Sequence, residues 1–160
     1  MIFVTVGTNE ARFDRLLRAV DGLDVGEGLV VQHGPSAIRP ARARCVDYLD
    51  YDQVVEAMRE ADVVVTHAGV GSVMTALMSG KRPVVVPRLR RFGEAVDDHQ
   101  LEFARSLATT GLVRLVEDPD DLADALGGLE PVDPVAIGPA RELVAELRRY
   151  LAERLDGYSR

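Results

Sequence analysis

Six short runs rich in β-branched residues, each separated from the next by a longer stretch, restrict what this chain can become. The runs are 2–6 (IFVTV), 28–32 (GLVVQ), 43–47 (ARCVD), 62–66 (DVVVT), 83–87 (PVVVP) and 112–116 (LVRLV). Strands alternating with helical spacing predict βαβ units and a parallel sheet, so the expected class is α/β with a doubly wound, mostly parallel sheet. The uninterrupted valines of the fourth and fifth runs lack the alternation of a half-exposed strand. They are expected to be central, covered by helices on both faces.

Helical spacing fills the gaps. Phe13, Leu16, Leu17 and Val20 make one apolar stripe that ends near Gly22, and a second helix is expected over 52–60. A third begins after the glycine-rich turn at 69–71 and stops at Gly80, with Val73, Ala76 and Leu77 inward. A fourth runs from Asp97 to Thr110, and Asp118-Pro119 opens a short fifth closed by Gly127 and Gly128. These elements make one domain over residues 1–127, a Gly- and Pro-rich connector over 128–138 and an amphipathic helix over 139–160. On that last helix Ala140, Leu143, Val144, Leu147, Leu151 and Leu155 share a face opposite seven charged residues. It either completes the domain's own layers or crosses to a partner.

At 160 residues and 47% apolar content, one self-sufficient core is expected. A formal charge of −7 argues against nucleic acid or anionic lipid held by the whole surface, so any basic site must be regional. Cys45 is the only cysteine, which excludes an internal disulfide and favours a reducing, cytosolic compartment. The opening MIFVTVGTNE has no basic segment and its apolar run stops at Gly7, so no signal peptide or membrane span is expected.

Ligands of open α/β sheets bind beyond the carboxyl ends of the strands. The polar residues fall there: Gly7-Thr8-Asn9, His33-Gly34-Pro35, His67 to Ser72 (HAGVGS), and Arg88 to Gln100. Gly69 and Gly71 allow a close approach, and the helix after them offers unpaired amides and a positive dipole end. That suits a phosphate or diphosphate, with Ser72 as cap or hydroxyl donor; a strand-to-helix turn that needs glycine only for its geometry fits the same residues. No glycine series follows the first strand, no GxxxxGK[ST] occurs and no G-x-S-x-G elbow occurs, which disfavours NAD, P-loop and hydrolase readings. His33, His67 and His99 lack the i, i+4 spacing of a helical zinc pair, and no metal site is expected. In PRLRRFGEAVDDHQ, Arg88, Arg90 and Arg91 suit an anionic substrate and the polar end suits sugar hydroxyls, unless the loop is simply a solvated surface.

HAGVGSVMTAL, GKRPVVVPR and DDHQ, with the early VGT and Phe13-Asp14, resemble the C-terminal, donor-binding half of glycosyltransferase family 28 over about residues 1–126. The resemblance implies the Rossmann-like C-terminal half of a GT-B enzyme, here the size of a lone donor subunit. The family includes a two-domain peptidoglycan N-acetylglucosaminyltransferase and split enzymes, among them the dolichol-pathway N-acetylglucosaminyltransferase subunit. The run GKRPVVVPRLRRFGEAVDDHQ is most similar to exopolysaccharide glucuronosyl- or galactosyltransferase subunits.

Carried onto this chain, the resemblance places the donor's diphosphate at His67, Ala68, Gly69, Val70, Gly71 and Ser72 and the uracil at Tyr48 and Leu49. It places the sugar at His99 and Gln100, with Gly7 and Thr8 facing the interdomain cleft. Thr75 stands where several relatives hold the ribose with glutamate, so that either ribose recognition is weaker or another acid, such as Glu94, takes part. The implied activity is inverting transfer from a UDP-sugar, a substrate and not a cofactor, to a lipid-linked glycan. The helix N-terminal amides at 69–72, assisted by Arg88, would stabilise the departing diphosphate, with His67, His99 and Asp14 as candidate bases. A membrane-associated acceptor-binding subunit is the implied partner, reached through the C-terminal helix, which puts this chain in the cytoplasm at the inner face of the membrane. The arginines favour an acidic donor such as UDP-glucuronate. A non-catalytic UDP-sugar-binding regulatory subunit is the alternative, kept open by Thr75; a free-standing epimerase is disfavoured because it needs two lobes.

Overall fold

The computed structural model describes residues 1–26 and 28–127. The connector and helix expected over 128–138 and 139–160 lie outside the described residues. Strands β1 (Ile2–Thr5), β2 (Leu29–Gln32), β3 (Arg44–Val46), β4 (Val63–His67), β5 (Val84–Val86) and β6 (Arg114–Leu115) form one sheet. Its order is β3-β2-β1-β4-β5-β6, and every pairing is parallel. The class expected from the strand runs is the one observed.

Helices α1 (Asp14–Asp21), α2 (Tyr51–Glu60), α3 (Val70–Met78), α4 (His99–Thr109) and α5 (Leu122–Gly127) cover the two faces. On one face Val4, Val6, Val65, Val84 and Val86 pack on Phe13, Leu16, Leu17 and Val20 and on Leu122 and Ala125. On the other, Phe3 and Val64 meet Met58 of α2 and Ala76 of α3, and Val85 meets Val73 and Leu77 of α3 and Phe103 and Leu107 of α4. The period-two alternation of side chains sends neighbouring valines to opposite layers. Each needs to be apolar because each face is covered. Phe3, Phe13 and Phe103 are almost wholly buried, and each contributes roughly 1.5–3 kcal/mol through removal from water. Val63, at the entry to β4, is only half-buried, unlike Val64 and Val65.

Local signals explain the ends. Asp50 accepts from the Gln53 amide while the Gln53 side chain accepts from the Asp50 amide, a capping box that starts α2. Asp118 caps a 3-10 turn over Pro119–Asp121 that leads into α5. The fourth helix begins at His99, two residues later than its sequence pattern suggests. A 3-10 turn at Arg90–Phe92 was not expected, since three residues carry no periodicity; Gly93 ends it at φ +67°. Among the described residues no helix is long and apolar enough to cross a membrane.

Candidate functional site

The strand order reverses between β1 and β4: the chain builds outward from β1 to β3, then returns to place β4 on the other side of β1. Loops leaving the two strands diverge there, and the crevice between them is where such sheets bind ligands. A cleft of about 520 Å³ occupies this point. Thr5, Gly7, Thr8 and Asn9 contribute from β1 and its loop, Gln32 from β2, and Leu49, Tyr51 and Val54 from the β3–α2 region. The far wall is His67, Gly69, Gly71, Ser72 and Thr75, with Gln100 from α4.

His67 is the wall's organiser. Its ring lies between two glycines: a Cβ on Gly7 would sit 2.2 Å from Nε2, and one on Gly69 would sit 2.1 Å from Cε1. Neither position tolerates a side chain without moving the ring. Gly7 also holds φ +75°, which other residues rarely adopt. The Gly69 amide donates to His67 Nδ1 at 2.9 Å, so the neutral ring carries its proton on Nε2, which donates to Ser72 Oγ at 3.0 Å. Burial drives the His67 pKa down to about 4, with the Arg88 charge pushing the same way and the Gln100 side chain partly opposing. His67 is neutral at physiological pH, and both ring nitrogens are engaged.

Beyond this clamp the first turn of α3 opens to the cleft. No side chain caps it, and the first amides of a helix lack intrahelical acceptors. These amides and the helix dipole favour an anion at this end. Gly71 differs from its two neighbours in the clamp: a Cβ there would meet nothing within 4 Å. The protein does not need that glycine for its own packing. Its bare surface leaves the backbone open to a ligand. Thr75 lines the same wall, but its hydroxyl donates to the Gly71 carbonyl at 2.8 Å, so toward a ribose it offers only a lone pair.

Of the residues expected from sequence, Gly7, Thr8, Leu49, His67, Gly69, Gly71, Ser72, Thr75 and Gln100 converge on the cleft. Others do not, each for a visible reason. Arg88 is fully buried: its guanidinium donates to the carbonyls of Val6, Ala11, Arg12 and Glu94 and stacks 4.7 Å from the Phe13 ring. It ties loops together and does not reach the cleft; it bears on the site through its charge, which helps to lower the His67 pKa, and through its backbone amide, which donates to Gln100 Oε1 at 3.2 Å. Burial lowers its pKa to about 10, partly offset by Glu94, so it stays cationic at neutral pH.

Asp14 accepts from the Ala37 amide and braces the loop after β2. Exposed His99 sits between Asp97 at 3.2 Å and Glu102 at 3.8 Å, outside the cleft lining. Ala68 packs in the core beneath the turn with Val70 against it. Tyr48 is exposed and its neighbour Leu49 provides the lining. Glu94 is no ribose ligand, because its buried carboxylate holds Arg15 through both oxygens, at 3.0 and 2.9 Å. Arg91 faces a separate hollow beside Arg105 and Glu117. His33 is buried against Asp47 Oδ1 at 2.7 Å and the Gly34 carbonyl. Asn9, placed on the rim by the sequence, also lines the cleft, whereas sequence reasoning missed Thr5, Gln32, Tyr51 and Val54; Thr5 and Gln32 are the last residues of their strands, a signal that was legible.

Residues 1–143 match the glycosyltransferase family 28 C-terminal domain. The chain belongs to this family. The UDP-N-acetylglucosamine transferase subunit ALG13 of Homo sapiens is 34% identical over 123 residues, which is 69% of this chain and 10% of that protein. A UDP-N-acetylglucosamine--N-acetylmuramyl-(pentapeptide) pyrophosphoryl-undecaprenol N-acetylglucosamine transferase of Paracidovorax citrulli is 41% identical over 78 residues, 49% of this chain and 21% of that protein. Among solved structures, MurG of Acinetobacter baumannii superposes with a TM-score of 0.55 at 25% identity, covering 78% of this chain and 40% of MurG. The glycotransferase of kitacinnamycin gives a TM-score of 0.56 at 23% identity, over 94% of this chain and 40% of that one, a likeness of fold alone. This family 28 domain therefore spans a minor part of each of these relatives.

Proposed function

We propose that this domain binds a UDP-sugar in the β1/β4 cleft and serves as the donor-binding subunit of a two-component inverting glycosyltransferase. A second, membrane-associated polypeptide would supply the acceptor site for a lipid-linked glycan. The observation that carries the reading is the uncapped first turn of α3 beside the open face of Gly71, at the switch point of the sheet. Inverting transfer requires an aligned acceptor hydroxyl, a base to deprotonate it, and stabilisation of the departing nucleoside diphosphate. The α3 amides and Ser72 supply the last of these. The resting geometry of His67, Asp14 and His99 suits none of them to be the base, which on this reading comes from the acceptor side.

The human relative's description as a transferase subunit supports a split enzyme, and both curated relatives cited carry N-acetylglucosamine in their names. UDP-N-acetylglucosamine is thus the first donor to test; with Arg88 buried and Arg91 turned away, the acidic-donor expectation loses much of its footing. A regulatory, UDP-sugar-sensing role is the second reading, favoured by Thr75 having spent its hydroxyl proton on the helix. Calorimetric titration with UDP, ADP and GDP tests binding, and turnover of UDP-sugars with the copurifying partner and lipid acceptor tests catalysis. UDP binding with partner-dependent turnover is expected. Turnover unaffected by loss of the α3 turn favours the regulatory role, and no UDP binding refutes both.

A further inference from the structure

The carboxyl end of the sheet carries one polar row. Gln32 of β2, Thr5 of β1 and Thr66 of β4 are register partners, at 1%, 2% and 0% exposure. A primary amide buried this deeply is costly unless its hydrogen bonds are made. Half of this one is satisfied within the protein: Thr5 Oγ1 donates to Gln32 Oε1 at 2.7 Å. The orientation of the amide follows from the neighbouring bond. Thr5 Oγ1 already accepts from the Gly7 amide at 3.1 Å, so its single proton needs an acceptor, and only the carbonyl oxygen of Gln32 provides one. The NH₂ group therefore points away from Thr5. No described residue accepts from it, and Gln32 lines the cleft.

The place of this donor within the cleft narrows what it meets. β2 lies on the opposite side of β1 from β4, so two strand spacings, about 10 Å, separate it from the phosphate-suited turn. A nucleoside spans such a distance. Leu49, Tyr51 and Val54 line the same end and offer an apolar wall for a flat ring. We infer that Gln32 is a specificity-determining residue whose NH₂ group, held in place by Thr5, donates to a carbonyl oxygen of the nucleobase. The inference rests on the UDP-binding reading above and adds to it the residue that reads the base.

The test compares the full chain with Gln32→Met and Gln32→Glu, titrated with UDP and with inorganic pyrophosphate. Met removes the donor without adding charge. Glu keeps an acceptor for Thr5, which guards against a folding defect being mistaken for lost recognition. UDP affinity is expected to fall about tenfold in both, since a buried partner is left unpaired. Pyrophosphate affinity should hold in Gln32→Met. Unchanged UDP affinity, or an equal loss for pyrophosphate, overturns the inference while leaving UDP binding by the parent chain intact. Absence of UDP binding by the parent chain overturns the underlying reading as well.

Discussion

Three glycines near the cleft make a quantitative test, because the same substitution should act in opposite directions. At Gly69 an added methyl would sit 2.1 Å from the His67 ring, and at Gly7 2.2 Å, where ordinary contacts are 3.4–4 Å. The ring must then move, giving up its bonds to the Gly69 amide and Ser72. Two lost hydrogen bonds at about 1 kcal/mol each, with overpacking of about 1–3 kcal/mol, put Gly69→Ala roughly 3–5 kcal/mol below the parent. Gly7→Ala adds about 1 kcal/mol for a left-handed backbone. At Gly71 the methyl meets nothing, and alanine is the better helix former by about 0.5–1 kcal/mol. Thermal melting should rise by about 1–4 °C in a chain of this size. The same methyl stands where a diphosphate would approach, and a clash of about 1–3 kcal/mol weakens UDP by roughly five- to 150-fold. Differential scanning fluorimetry and calorimetry on the three variants decide the matter. A Gly71→Ala chain that binds UDP as tightly as the parent would refute the reasoning, as would one that melts below it.

Two further outcomes follow from buried charge. Arg88→Met leaves four backbone carbonyls without their cation and should cost about 3–5 kcal/mol in urea unfolding, where a surface arginine would cost almost nothing. His67, lowered from 6.5 to about 4 in the fold, makes the unfolded chain the better proton acceptor between those values. Its contribution is complete above about pH 7, declines as pH falls toward 4, and totals on the order of 3 kcal/mol. Urea titrations at stepped pH should show this slope in the parent and a shallower one in His67→Asn; equal slopes would contradict the assignment.

Much of the site was legible in one dimension. The six strands lie where the β-branched runs put them, and His67 to Ser72 runs from the end of β4 into α3 as the pattern required. Tight turns and strand ends are local events, governed by a few neighbouring residues. Arg88 shows the limit. An arginine two residues past a buried strand reads as a ligand for anions, yet here it fastens the β1–α1 loop to its own, because Val6, Ala11, Arg12 and Glu94 all turn carbonyls toward it. Those residues are up to 82 positions away, and nothing in the local pattern announces them.

By itself the chain determined which segments are strands and helices, that the strands run parallel under two covering layers, and that a glycine-bearing helix start stands ready for an anion. Periodicity and chain stiffness act over a few residues, so sequence carries them. The tertiary structure decided which strands become neighbours, and with that which polar ends face one another. Thr5 became the anchor of Gln32, His67 became a neutral strut between two glycines, and Gly71 alone of the three was left facing open space. These are consequences of strand order and register, set by packing energy summed over the whole core, and no single stretch of sequence contains them.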